Sequence, residues 1–187
     1  MKRLAVLLAD GFEECEALVI VDLCRRAGID VDMLAINDQT GNLLVASSHM
    51  VTVRADAFLS TKVPQDYDVM YLPGGKIGVD NLSRSELVKS WIQSFVDTGK
   101  TIVAVCAGPS VLSRYGYLDG KTYTCYPGFE NYGPKANYTG SQMERDGQFL
   151  TGNGLGACYL IAKAMISEMV DETTALKVLD AIQYRGN

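Results

Sequence analysis

Short apolar runs alternate along the chain with longer stretches whose apolar residues recur at helical spacing. Arg3 to Ala9 (RLAVLLA), Asp30 to Ile36, Asp68 to Leu72 (DVMYL) and Thr101 to Val105 (TIVAV) read as strands. Glu14 to Ala27 carries Ala17, Leu18, Val21 and Cys24 at helical intervals, and Gly28 suits its C-terminal cap. Ser85 to Asp97 repeats the pattern through Leu87, Trp91, Ile92 and Phe95, with Gly99 closing it. Ala157 to Met169 and Glu172 to Ile182 are the last two helical segments. Leu43 to Ala46 and Met50 to Arg54 predict a hairpin around Ser47 to His49. Ser141 to Thr151 predicts another, turning at Asp146-Gly147. Residues 115–140, rich in Gly, Pro, Tyr and Asn, read as loops with short strands. Strands alternating with helices imply an α/β fold of three layers, a mainly parallel sheet covered on both faces. The hairpins are expected at an edge, and one domain is expected over 1–187.

In open parallel sheets, ligands bind beyond the carboxyl ends of the strands. Four strand ends bring unusual residues there: ADGFEECE, PGGKIG, CAGP and GNGLG. Cys106 stands where TIVAV must turn into a helix, with small neighbours Ala107 and Gly108 and then Pro109, which suits a first helical turn. This is the pattern of a nucleophile elbow. A cysteine at a helix N-terminus is expected to have its thiol pKa lowered. The glycines Gly74 and Gly75 let backbone N–H groups approach a bound oxyanion. Of Glu13, Glu14 and Glu16, helical spacing turns one inward without saying which. An inward carboxyl beside the sulfur is expected to stay protonated and donate to it.

Composition narrows the picture. The chain has 187 residues, nearly half of them apolar, and a formal net charge of −5. No basic block tracks a nucleic acid backbone. No apolar run approaches the roughly 20 residues of a membrane span. The N-terminus lacks a signal-peptide cleavage pattern, so a cytoplasmic location is expected. Five widely spaced cysteines without C-x-x-C argue against a disulfide framework and against a zinc site. Cys24 and Cys158 fit helical packing positions. The single histidine, His49, reads as a surface turn residue, so a Cys–His hydrolase is disfavoured. GNGLG at 152–156 lacks the spacing of a dinucleotide fingerprint.

The stretches LLADGFEECEALVIVDLCRRAGIDV, YDVMYLPGG, VAVCAGPSVL and ERDGQFLTGNGLG together resemble the ThiJ/PfpI superfamily, in its parkinsonism-associated deglycase branch. The resemblance implies a flavodoxin-like sandwich and a homodimer to which the first helix contributes. It implies Cys106 as nucleophile and Glu16 as the protonated acid on its sulfur. Gly75 and Ala107 fall on positions whose N–H groups face the site. Gly74, Asn153 and Tyr126 complete the expected oxyanion and substrate-binding set. Three departures stand out. Tyr126 replaces a histidine found in some relatives, Asn153 an arginine, and Ala107 the histidine of peptidase-like members. Cys125 is an additional thiol near the expected site, read as a passive loop residue rather than a resolving thiol.

The resemblance implies cofactor-independent, metal-free chemistry on small reactive carbonyls, of glyoxalase or deglycase type. The alternatives are an oxidation sensor or redox-regulated chaperone acting through Cys106, and, third, a thiol peptidase or amidase.

Overall fold

Alternate residues of the buried strands serve two different cores, because successive side chains leave a strand on opposite faces. The computed structural model describes residues 2–186. In chain order the elements are β1 (Arg3–Leu8), α1 (Glu14–Arg26), β2 (Asp30–Ala35), β3 (Leu44–Ala46), β4 (Thr52–Arg54), β5 (Ala57–Phe58) and β6 (Val69–Leu72). There follow α2 (Lys76–Arg84), α3 (Glu86–Asp97), β7 (Thr101–Val105), α4 (Pro109–Arg114), β8 (Thr122–Tyr123) and β9 (Asn137–Tyr138). The chain ends with β10 (Met143–Asp146), β11 (Phe149–Gly152), α5 (Cys158–Met169) and α6 (Glu172–Ala181). Among the described residues, seven strands form one sheet in the order β10-β11-β7-β6-β1-β2-β5. Every neighbouring pair is parallel except β10 with β11.

Leu4, Val6 and Leu8 of β1 join Tyr71, Val103, Val105 and Leu150 beneath α1, α5 and α6. Ala5 and Leu7 join Met70, Leu72, Ile102 and Ala104 beneath α2, α3 and α4. The three-layer architecture is therefore built by the apolar runs of the central strands. Helix ends follow local chemistry. Ser85 accepts the Val88 N–H to start α3, and Asp171 accepts the Thr174 N–H to start α6.

Three features differ from the sequence reading. The first hairpin, β3–β4, is a separate two-stranded sheet, whereas the second does form the edge of the main sheet. Helix α2 has no counterpart in the reading, because KIGVDNLSR offers few apolar positions and contains a glycine. It is set by packing: a Cβ on Gly78 would lie 2.8 Å from the Phe12 backbone. Leu18, assigned to the apolar face of α1, points outward, and Ile20 is buried instead. No helix among the described residues is long and apolar enough to cross a membrane.

Leu7 is fully buried at the centre of the sheet. Leu7→Ala is expected to cost about 3 kcal/mol of stability in urea unfolding. A loss within a few tenths of a kcal/mol of zero would contradict this packing.

Candidate active site

The carboxyl ends of β1, β6, β7 and β11 are laced together by their backbones. Glu13 N–H donates to the Gly74 carbonyl (3.0 Å), Gly78 N–H to Gly11 (3.1 Å), and Cys106 N–H to Gly152 (2.8 Å). The Cys106 carbonyl accepts the Tyr126 N–H at 2.8 Å, which ties the loop after β8 to the same point. Both backbone polar groups of Cys106 are thus engaged while its φ is 57°. For a non-glycine residue that left-handed conformation costs about 1–3 kcal/mol and persists only when its surroundings enforce it. Gly108 helps, since a Cβ there would come within 2.5 Å of the Leu72 carbonyl oxygen. Pro109 opens α4 in its first turn, as its missing N–H allows.

Glu16 is the inward acid of the first turn of α1, with 1% of its surface exposed. Its Oε2 accepts the Gly74 N–H at 2.8 Å, and its carboxyl is hydrogen-bonded to the Cys106 sulfur. The approach is close enough to require glycine at position 74. A Cβ there would lie 2.6 Å from Glu16 Oε2 and 2.7 Å from Cys106 Cβ. Gly75 has φ 92°, and a Cβ on it would meet the Gly11 carbonyl oxygen at 2.3 Å.

Burial pushes the Glu16 carboxyl up from 4.5 to about 7, against the opposing hydrogen bonds from Cys106 and Gly74. Burial also pushes the Cys106 thiol up, and the Glu16 charge adds to this, while the N–H groups of Ala107 and Gly75 pull it down. The lowered thiol expected from the helix terminus is therefore not found, because burial and then the Glu16 charge outweigh the N–H groups. The two groups cannot both carry charge at this distance, so they hold two protons below about 7, where Glu16 titrates, and share one above it. A thiolate forms here when that proton sits on Glu16.

Cys106 lines a cavity of 280 Å³ together with Glu13, His49, Gly75, Ala107 and Tyr126. A larger cavity of 480 Å³ lies away from these strand ends, beside α1 and residues 182–186, and holds neither Cys106 nor Glu16.

A DJ-1/PfpI family model matches residues 2–168. The chain belongs to the DJ-1/PfpI family. It is 34% identical to the Parkinson disease protein 7 homolog of Danio rerio over 95% of this chain and 94% of that protein. It is 30% identical to the protein/nucleic acid deglycase 2 of Escherichia coli strain K12, over 66% of this chain and 70% of that one. The crystal structure of a cysteine-to-alanine mutant of a DJ-1 superfamily protein from Salmonella typhimurium superposes with a TM-score of 0.93. It has 32% identity, and both chains are fully covered. The α/β three-layer architecture is that of the family.

Within this DJ-1/PfpI fold, two of the expected binding residues, Gly74 and Asn153, are placed otherwise. Gly74 was expected to serve an oxyanion, but its N–H is committed to Glu16. Asn153 does not line the cavity, and its N–H donates to the Gln142 carbonyl at 3.1 Å. Tyr126 lines the cavity and is largely exposed at its rim. Cys125 is fully buried, and burial holds its thiol at about 12, so it is a packing residue. Cys24 and Cys158 are fully buried as expected.

The main correction concerns His49. It is exposed like a turn residue, yet it lines the same cavity as Cys106. Its Nδ1 lies 3.1 Å from Glu14 Oε1. Glu14 is buried beside Glu16, although helical spacing turns only one acid of the first turn inward. Burial alone would raise its carboxyl. Hydrogen bonds from its own N–H, Ser47 and His49 outweigh that and hold it below the usual range. Glu13 is the N-cap of α1, accepting the Glu16 N–H at 2.6 Å. Glu13, Glu14 and His49 offer ligand-type atoms within 4.8 Å of one another. The positive end of α1 disfavours a cation there.

Burial of Glu16 has a consequence for stability. The folded protein keeps a proton that the unfolded chain releases near 4.5, so stability falls as pH rises from 4.5 to about 7. Glu16→Gln removes that slope. Relative to wild type it is expected to gain stability across this window, by about 3 kcal/mol at most. Urea unfolding on either side of the window measures this, and a difference independent of pH would contradict it.

Proposed function

We propose that this protein is a cysteine-dependent, cofactor-independent enzyme acting on small reactive carbonyls, with glyoxalase-type conversion of methylglyoxal to lactate as its first reaction. The observation that supports this most is the meeting of a nucleophilic sulfur, a buried proton-carrying acid and two backbone donors at one small cavity. Cys106 thiolate bonds to the aldehyde carbon. The N–H groups of Gly75 and Ala107 hold the oxyanion, and Glu16 supplies the proton that makes a hemithioacetal. The Glu16 carboxylate then takes the proton from the carbon bearing sulfur and returns it to the neighbouring carbon, while the hydroxyl proton passes from the first carbon's oxygen to its neighbour's. One carbon is oxidised and its neighbour reduced, which leaves a lactoyl thioester without any external oxidant. Water cleaves that thioester to lactate and restores the thiol.

Deglycase action on early glycation adducts uses the same nucleophile and is the second substrate class. The name of the Escherichia coli relative supports it. A homodimer and a cytoplasmic location belong to this proposal. Exposed Leu18 on α1, and Met50 and Val51 on the β3–β4 hairpin, support an interface there.

Oxidation sensing through Cys106 is the alternative. It is favoured by one observation: Cys106 is only half-buried and the N–H groups of Ala107 and Gly75 face its sulfur. A thiol peptidase is disfavoured on a different ground from the one the sequence offers. A histidine is present in the cavity, but Cys106 is hydrogen-bonded to Glu16 and, among the described contacts, not to His49.

Purified protein is expected to form lactate from methylglyoxal over many turnovers. Cys106→Ser should abolish this, and Glu16→Gln should lower it at least about 100-fold. Aldehyde loss only in step with protein thiol would overturn the enzymatic reading and favour oxidation sensing.

A further inference from the structure

We propose that His49 activates the water that releases product from Cys106, and that Glu14 is its positioning residue. This inference rests on the carbonyl reading above and deepens it. That reaction has two separate proton-transfer tasks. The first moves a proton between two carbons of a substrate already bonded to sulfur. Glu16 suits it, being enclosed against Gly74 and Cys106. The second needs a base where water enters, and Glu16, with 1% of its surface exposed, is sealed from solvent.

His49 stands at that entrance. Its side chain is 70% exposed in the single chain, and it lines the cavity that holds Cys106. The turn that carries it is fixed to the start of α1. Gly11 N–H donates to the Ala46 carbonyl (2.7 Å) and Ser48 N–H to the Phe12 carbonyl (2.8 Å). The turn itself is closed by Ser47, whose N–H reaches the Val51 carbonyl at 2.8 Å and whose Oγ accepts the Val51 N–H at 3.0 Å. The imidazole is thus held by the same segment that positions Glu16.

Glu14 Oε1 lies 3.1 Å from Nδ1, and Ser48 Oγ lies 3.2 Å from it. A buried carboxylate on Nδ1 favours the tautomer with its proton there, which leaves the Nε2 lone pair as the acceptor. The charged and titratable groups around the ring are Glu13 and Glu14 from α1, Lys76 from the start of α2, Cys106 at the elbow and Tyr126 on the facing loop. In the release step, the water oxygen bonds to the thioester carbon while Nε2 takes one of its protons. The carbon–sulfur bond then breaks, its electron pair stays on sulfur, and the imidazolium returns the proton to the Cys106–Glu16 pair. Lactic acid leaves and ionises in solvent.

The test mixes methylglyoxal rapidly with wild type, His49→Ala and Glu14→Gln, with Cys106→Ser as background. Thioester is trapped with hydroxylamine, and lactate is measured in parallel. His49→Ala is expected to accumulate lactoyl thioester at a wild-type initial rate while steady lactate release falls about 100-fold. Added imidazole should restore part of that release. Glu14→Gln should accumulate thioester with a loss of about tenfold. Unchanged lactate release in His49→Ala would overturn the proposal. So would a loss of rate without thioester, or a loss that imidazole fails to restore. Wild type that forms neither thioester nor lactate would overturn the carbonyl reading itself, a distinct result.

Discussion

Glu16 and Cys106 approach each other across a space that exists because residue 74 has no side chain. The Glu16 carboxylate oxygen and the Cys106 Cβ both lie where a Gly74 Cβ would be, at 2.6 and 2.7 Å. The Gly74 N–H anchors the acid in that space. The left-handed backbone of Cys106 presents the sulfur to it. The lacing of the strand ends, the close packing of Gly75 and Gly78 on the start of α1 and the abrupt turn into α4 all serve this one approach. A residue with a Cβ at position 74 would separate acid from sulfur before it disturbed anything else.

The electrostatic result is a pair that drops from two protons to one as Glu16 titrates at about 7. Burial raises both groups, the Cys106 thiol further than the Glu16 carboxyl, and the two backbone N–H donors at the sulfur offset only part of that rise. Such a pair is ready for a nucleophilic attack that needs a proton delivered in the same step. It is equally able to hold an oxidised sulfur. Turnover separates the two readings.

Much of the fold is legible in the sequence because its central strands are continuous apolar runs and its helices are amphipathic. TIVAV is strand β7 residue for residue, and Asp146-Gly147 marks the turn of the β10–β11 hairpin. Cys106 is legible because small residues and a proline surround it. Three things are not. Helix α2 is stabilised by Gly78 packing on Phe12, a contact that carries no periodic signal. The thiol's position is set first by burial and then by Glu16, which together raise it where the helix terminus alone would lower it. His49 belongs to a hairpin outside the main sheet, so the rule that directs attention to strand ends passes over it. The bridge between Phe12 and Ser47, with the hydrogen bonds of Ala46 and Ser48 to the start of α1, brings that hairpin to the cavity.

The shared proton is tested most directly by the rate at which Cys106 is alkylated by iodoacetamide as a function of pH, in wild type and in Glu16→Gln. The account predicts a wild-type transition near 7, where Glu16 titrates, and its disappearance from that position in the variant. Superimposable profiles would show that sulfur and carboxyl titrate independently and would contradict the account.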